Sequence, residues 1–218
     1  MVQVKICGIT RVDEALLCAR WGAHAVGCVF HPPSPRFVSD LRAAEIAASL
    51  PAGVSAVGVF CDVDYEAVMR RVERCGIRVV QLHGAESPDL VRRLQAQGVS
   101  VIKTLFLNRP PTFSDAEVYG CASAFLAECA GGSLPGGNAI AWDWNAARRT
   151  LGDRPLVIAG GLNPENVGRA VEEALPDAVD VSSGVESEPG RKDPEKVKRF
   201  LETVASCEPP RATRRIFP

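Results

Sequence analysis

Short apolar runs alternate along the chain with segments of helical period, starting at the first residues. Val2-Gln3-Val4-Lys5-Ile6 predicts a strand, and residues 12–21 follow with Leu16, Leu17 and Trp21 on a helical stripe. Ala25-Val26-Gly27-Cys28-Val29-Phe30 predicts a second strand. Ser39 then caps a helix carrying Leu41, Ile46 and Leu50, which stops near Pro51-Ala52-Gly53. Val57-Gly58-Val59-Phe60 precedes a helix with Ala67, Val68, Arg71, Val72 and Cys75 at helical spacing, closed at Gly76. Val79-Val80-Gln81-Leu82 with a helix over 87–97, and Val101-Ile102-Lys103-Thr104 with a weaker segment after Ser114, make the fourth and fifth units. Ala124-Phe125-Leu126-Ala127-Glu128 is the sixth strand, followed by a Gly-rich loop over 131–137 and a short helix from near Trp144. Leu156-Val157-Ile158-Ala159 and Ala178-Val179-Asp180-Val181 are the last strands, trailed by helices over 164–174 and 193–206.

Eight βα repeats without a second domain predict a single (β/α)8 TIM barrel over residues 1–206. Its strands read as continuous apolar runs because both faces are buried. The alternative, an open doubly wound sheet, usually carries a Gly-rich dinucleotide turn after strand 1, and Cys7-Gly8-Ile9-Thr10 is not one. Residues 207–218 are basic, Pro-containing and without helical period, so a flexible tail without chemistry is expected there.

Composition narrows the partners. With 218 residues, 46% of them hydrophobic, the chain can bury a sizeable core, and 25 Lys+Arg against 26 Asp+Glu leave a net charge of −1. Such a balance lacks the electropositive field of a nucleic-acid binder. No apolar run approaches the ~18–20 residues of a membrane span, and the N-terminus reads directly as a strand, so a cytoplasmic protein without membrane contact is expected. The eight cysteines include no C-x-x-C pair and are expected as reduced thiols, mostly packed as small hydrophobes. Three histidines without helical pairing give a metal few ligands, and none is expected.

In a barrel the chemistry sits at the carboxyl ends of the strands. Those ends carry Lys5 and Cys7, His31 and Arg36, Asp62, His83, Lys103, Glu128, Gly160-Gly161, and Asp180 with Ser182-Ser183-Gly184. Gly160, Gly161, Ser182, Ser183 and Gly184 offer close backbone approach, N–H groups and hydroxyls after strands 7 and 8, where a phosphate site recurs among barrels. Either turn alone reads as an ordinary turn; the two side by side point to a phosphorylated metabolite.

The same residues carry a family resemblance. Val4-Lys5-Ile6-Cys7-Gly8-Ile9-Thr10, Gly27-Cys28-Val29-Phe30 with Ser34-Pro35-Arg36, and Val80-Gln81-Leu82-His83-Gly84 resemble motifs of phosphoribosylanthranilate isomerase. So do Gly136-Gly137 with Trp142-Asp143-Trp144, the stretch from Ala159-Gly160-Gly161 through Asn163-Pro164-Glu165-Asn166-Val167, and Asp180-Val181-Ser182-Ser183-Gly184-Val185-Glu186 with Pro189-Gly190 and Lys192-Asp193. The resemblance spans about Val2 to Val204 and implies a barrel of the ribulose-phosphate-binding type. It also implies an Amadori rearrangement in tryptophan biosynthesis, with N-(5′-phosphoribosyl)anthranilate becoming 1-(2-carboxyphenylamino)-1-deoxyribulose 5-phosphate. This aldose–ketose isomerisation needs an acid, a base and no cofactor. A phosphorylated aminosugar is then the only partner implied, for a monomer or a homodimer.

Cys7 matches the family's general base, and a neighbouring cation such as Lys5 is expected to lower its thiol pKa from ~8.5 toward working pH. A lone cysteine among eight otherwise reads as a buried hydrophobe. Glu128 stands where the family commonly ends strand 6 with Asp; it keeps the carboxyl and is expected, partly buried, to be the acid, the other reading being a solvated loop carboxylate. Asp180 is the alternative acid, expected instead to orient substrate hydroxyls. Arg36, on the stiff Pro32-Pro33-Ser34-Pro35 loop, matches the position that pairs with the anthranilate carboxylate and stacks on its ring. His83 either contacts substrate or is satisfied by backbone.

Two other functions compete with this one. The histidine-pathway aminoaldose isomerase resembles this chain in fold but carries Asp in place of Cys7. It also needs a second phosphate end, which Phe60-Cys61-Asp62 does not supply. A barrel that binds a phosphorylated metabolite without turnover has only the Asp-to-Glu exchange at position 128 in its favour.

Overall fold

The computed structural model describes residues 1–129, 142–209 and 211–218. Eight parallel strands, β1 (Gln3–Cys7), β2 (Ala25–Val29), β3 (Ser55–Phe60), β4 (Val79–Leu82), β5 (Ser100–Phe106), β6 (Ala124–Glu128), β7 (Leu156–Ile158) and β8 (Ala178–Val181), pair in chain order and close when β8 meets β1. The helices α1 (Val12–Arg20), α2 (Asp40–Ser49), α3 (Tyr65–Cys75), α4 (Pro88–Ala96), α5 (Asn145–Leu151), α6 (Val167–Ala174) and α7 (Pro194–Ala205) connect them. None of the described helices is long and apolar enough to cross a membrane.

Local chemistry sets the boundaries. Ser39, Asp64, Ser87 and Asp193 each accept a backbone N–H of the first turn that has no intrahelical partner. Gly76 ends α3 in the left-handed conformation, φ 66°. Four departures from the sequence reading matter. The weak segment after Ser114 is a 3-10 helix, Phe113–Glu117, with a Thr112–Asp115 capping box. The helix expected from 164 begins at Val167, because Asn163 and Asn166 bond the intervening backbone themselves: Asn163 Oδ1 accepts from the N–H groups of Glu165 and Asn166, and Asn166 Oδ1 from that of Asn163. Between β8 and α7 lies a small antiparallel hairpin, β9 (Glu186–Glu188) and β10 (Arg191–Lys192), which the apolar pattern does not announce.

The fourth departure is the C-terminal tail, expected to be flexible and instead docked on the barrel floor. Gln3 Oε1 accepts from the N–H groups of Ile216 (2.6 Å) and Phe217 (2.9 Å), and its Nε2 donates to the Phe217 carbonyl at 3.0 Å. Phe217 is 1% exposed and packs with Ala25, Val79, Ile102, Ala124 and Ala178 at the amino-terminal side of the strands. Two apolar residues at the end of a polar tail outweigh its basic character, because the barrel's open floor gives them surface to bury. The Gly-rich loop expected over 131–137 lies outside the described residues.

Candidate active site

At the opposite, carboxyl side of the strands, one pocket is lined by Cys7, Arg36, His83, Glu128, Gly160, Gly161, Asp180, Ser182, Ser183 and Gly184, together with Gln81, His31 and Cys61. Of the residues expected at the strand ends, Asp62, Lys103 and Lys5 are missing from the lining, and of the three the one tied to the site from beneath is Lys5. It lies fully buried beneath, cross-strand from Asp180 in the β1–β8 register, with Nζ 2.8 Å from Asp180 Oδ1. Its ammonium therefore supports the site from below and does not reach into it as a binding group.

The charge balance around Lys5 decides the state of Cys7. Burial works against the Lys5 ammonium, but Asp180 and Cys7 outweigh it and hold its pKa above the ordinary lysine value. For Cys7, 8% exposed, burial pushes the thiol up; Lys5 pulls it down and Asp180 adds to the rise. The net direction is upward, against the lowering expected from a neighbouring cation, because desolvation of a thiolate at the base of the mouth outweighs one ammonium already paired with a carboxylate.

Glu128 ends β6 and is 4% exposed, so it is not a solvated loop carboxylate. Its Oε2 lies 3.2 Å from His83 Nε2, an ion-pair distance at which the angle misses that of a hydrogen bond, so the pair is a close contact only. The other ring nitrogen, Nδ1, is 2.9 Å from Gln81 Nε2 and 3.1 Å from Thr104 Oγ1. An amide nitrogen only donates, so with the Gln81 amide in this orientation Nδ1 is the acceptor of that bond. His83 is thus held at Nδ1 by side chains and not by backbone, while Nε2 has no hydrogen-bond partner among the described residues. Gln81, unmarked by sequence reasoning, sits two residues before it on β4 and in the same motif.

The two Gly-rich ends adjoin as expected. Gly160 and Gly161 both take positive φ, 81° and 68°, and Asn166 Nδ2 donates to the Gly161 carbonyl at 2.8 Å, fixing the turn. Ser182 Oγ donates to the Cys7 carbonyl at 3.1 Å, tying the β8 turn to the β1 turn. Trp142 Nε1 donates to the Ala159 carbonyl at 3.0 Å, holding Trp142 against the end of β7. Arg36 lines the mouth, but its guanidinium is forked onto Glu186, a residue the sequence placed only within a motif.

A thiol and a carboxyl at one mouth, an anion-type double turn between their strands and a nearby guanidinium suit an anionic sugar phosphate undergoing proton transfer. Residues 4–203 match the family model described as N-(5'phosphoribosyl)anthranilate (PRA) isomerase. The chain belongs to the phosphoribosylanthranilate isomerase family. It is 52% identical over 216 residues to the N-(5'-phosphoribosyl)anthranilate isomerase of Desulfatibacillum aliphaticivorans, covering 99% of both chains. The phosphoribosyl anthranilate isomerase structure from Thermotoga maritima superposes with a TM-score of 0.85 at 38% identity, over 94% of this chain and 99% of that one. A phosphoribosyl anthranilate isomerase solved with reduced 1-(o-carboxyphenylamino)-1-deoxyribulose 5-phosphate gives 0.82 at 38% identity, with the same coverage. The barrel and the isomerase family read from the sequence are thereby borne out, and the histidine-pathway alternative is set aside.

Proposed function

We propose that this chain carries out, in the cytoplasm and without a cofactor, the Amadori rearrangement of N-(5′-phosphoribosyl)anthranilate with Glu128 as general acid and Cys7 as general base. The phosphate of the substrate rests on the turns at Gly160-Gly161 and Ser182-Ser183-Gly184, which sets the ribose across the mouth between β6 and β1. Glu128 gives its proton to the ring oxygen as the C1′–O bond breaks, and the anilino nitrogen lone pair forms the C1′ iminium. Cys7, as thiolate, takes the C2′ proton; the electron pair left behind neutralises the iminium and gives an enolamine that tautomerises to the ketose. Asp180 already accepts from the Lys5 ammonium, which suits it to orienting substrate hydroxyls and leaves the donor's role to Glu128. Arg36 pairs with the anthranilate carboxylate.

The observation that carries this reading is the convergence of Cys7, Glu128, Arg36 and both Gly-rich turns on one pocket. Its test is steady-state turnover of freshly generated phosphoribosylanthranilate, followed by loss of fluorescence, in the parent, Cys7→Ala and Glu128→Ala proteins. Each variant should lose roughly 10²-fold or more in kcat. Near-parent turnover by Glu128→Ala would pass the acid's role to Asp180, and an inactive parent that still binds the reduced product analogue would leave only a phosphate-binding barrel.

A further inference from the structure

The Arg36 guanidinium is held along one edge. Its Nε donates to Glu186 Oε1 at 2.9 Å and its Nη2 to Glu186 Oε2 at 2.7 Å. This fork uses two of the five guanidinium N–H groups and leaves the end formed by Nη1 and Nη2 for another planar acceptor. Among the described residues lining the pocket, Arg36 is present and Glu186 is not. The arginine stem crosses the turn after Cys7, where a side chain on Gly8, φ 76°, would strike its Cδ.

Glu186 is anchored in turn. Lys192, its cross-strand partner in the β9–β10 hairpin, is fully buried at the side chain and reaches Glu186 Oε1 at 2.8 Å and the Ser182 carbonyl at 3.3 Å. Lys196 Nζ donates to the Glu186 backbone carbonyl at 2.9 Å. Burial pushes the Glu186 carboxyl up, but Arg36 and Lys192 outweigh it and hold it below the usual carboxylate range. Glu186 thus stands between the Arg36 guanidinium and a fully buried Lys192, whose pKa burial lowers against the pull of Glu186.

We infer that Glu186, backed by Lys192, is the positioning residue for substrate-carboxylate recognition: it clamps Arg36 so that the free end of the guanidinium serves the mouth, and it makes the enzyme specific for an N-aryl group bearing one carboxylate. This rests on the reading of Arg36 as the partner of the anthranilate carboxylate. Without Glu186, Arg36 and Lys192 repel each other and the fork is lost, so the guanidinium samples many rotamers where it now holds one.

The experiment compares phosphoribosylanthranilate with the phosphoribosyl adduct of aniline, which lacks the carboxylate, in parent, Glu186→Gln, Glu186→Asp, Arg36→Met and the Arg36→Met/Glu186→Gln double variant. Glu186→Gln should reduce the preference for the carboxylated substrate roughly 10- to 100-fold. The loss should fall on KM, with kcat kept within about threefold and the aniline substrate turned over as by the parent. Glu186→Asp, of shorter reach, should keep part of the preference, and adding Glu186→Gln to Arg36→Met should cost nothing more. Parent-level preference in both Glu186 variants, or an equal loss on both substrates, overturns the inference. Full preference in Arg36→Met would instead overturn the reading of Arg36 on which it rests.

Discussion

At Cys7 two effects of opposite sign meet. Burial raises the thiol and the Lys5 ammonium lowers it, with burial the larger and Asp180 adding to the rise. The thiolate is thus the minor form near neutrality, and its population, and with it kcat/KM, should climb as pH rises toward the raised thiol pKa. Lys5 is the strongest influence in the other direction, so Lys5→Met should move this rising limb to higher pH. Each unit of displacement lowers the rate on the limb about tenfold. A profile coincident with the parent's, in a variant shown by circular dichroism to be folded, would remove Lys5 from the control of the thiol. The sequence marked Cys7 because the motif names the atom. It did not show the direction of the shift, because desolvation belongs to neighbours contributed by other strands. Cys18 and Cys28 follow the same rule: they are packed thiols pushed up by burial to about 12, as expected of small hydrophobes, whereas Cys61 lines the pocket and Cys121 is exposed.

Among the elements, strands and capped helices followed the apolar period closely, and the irregular turns did not. The strands β4, β6 and β8 occupy the residues their apolar runs mark, and Ser39 and Gly76 act as the signals they resemble. The turn after β7 is built by side-chain amides, which no hydrophobic pattern records. Asn166 bonds both the Asn163 N–H and the Gly161 carbonyl. Asn166→Ala should therefore loosen the turn on which the substrate phosphate is proposed to rest, raising KM and the inhibition constant of inorganic phosphate roughly tenfold while kcat holds. Unchanged phosphate inhibition would show that the turn keeps its shape without the amide. The apolar pattern misses the β9–β10 hairpin for a related reason: its two short strands are wholly polar, and only their pairing across the turn brings Glu186 and Lys192 together.

For the whole molecule, the docked tail closes the barrel floor as the active site occupies the other end. Phe217 fills the base of the cluster that includes Ala25, Val79 and Ala178, and its backbone is satisfied by Gln3 on β1. Phe217→Ala should cost about 3 kcal/mol, which at roughly 2–4 °C per kcal/mol for a chain of this size lowers Tm by roughly 6–12 °C. Calorimetry on the full chain measures it, and kcat in the cold should be unaffected because the floor lies across the barrel from the pocket; a parent-like Tm would mean that the tail adds no stability. The sequence by itself determined the barrel, its eight strands, the family and most of the pocket's lining, because alternating apolar periods and side chains at strand ends are properties of local chain order. Only the tertiary structure decided that Lys5 lies under the site, that Arg36 is clamped by a residue 150 positions away, that the Cys7 thiol is raised, and that the tail is buried. Each of these depends on which distant groups share a small volume from which water is excluded, and that is settled when the barrel closes.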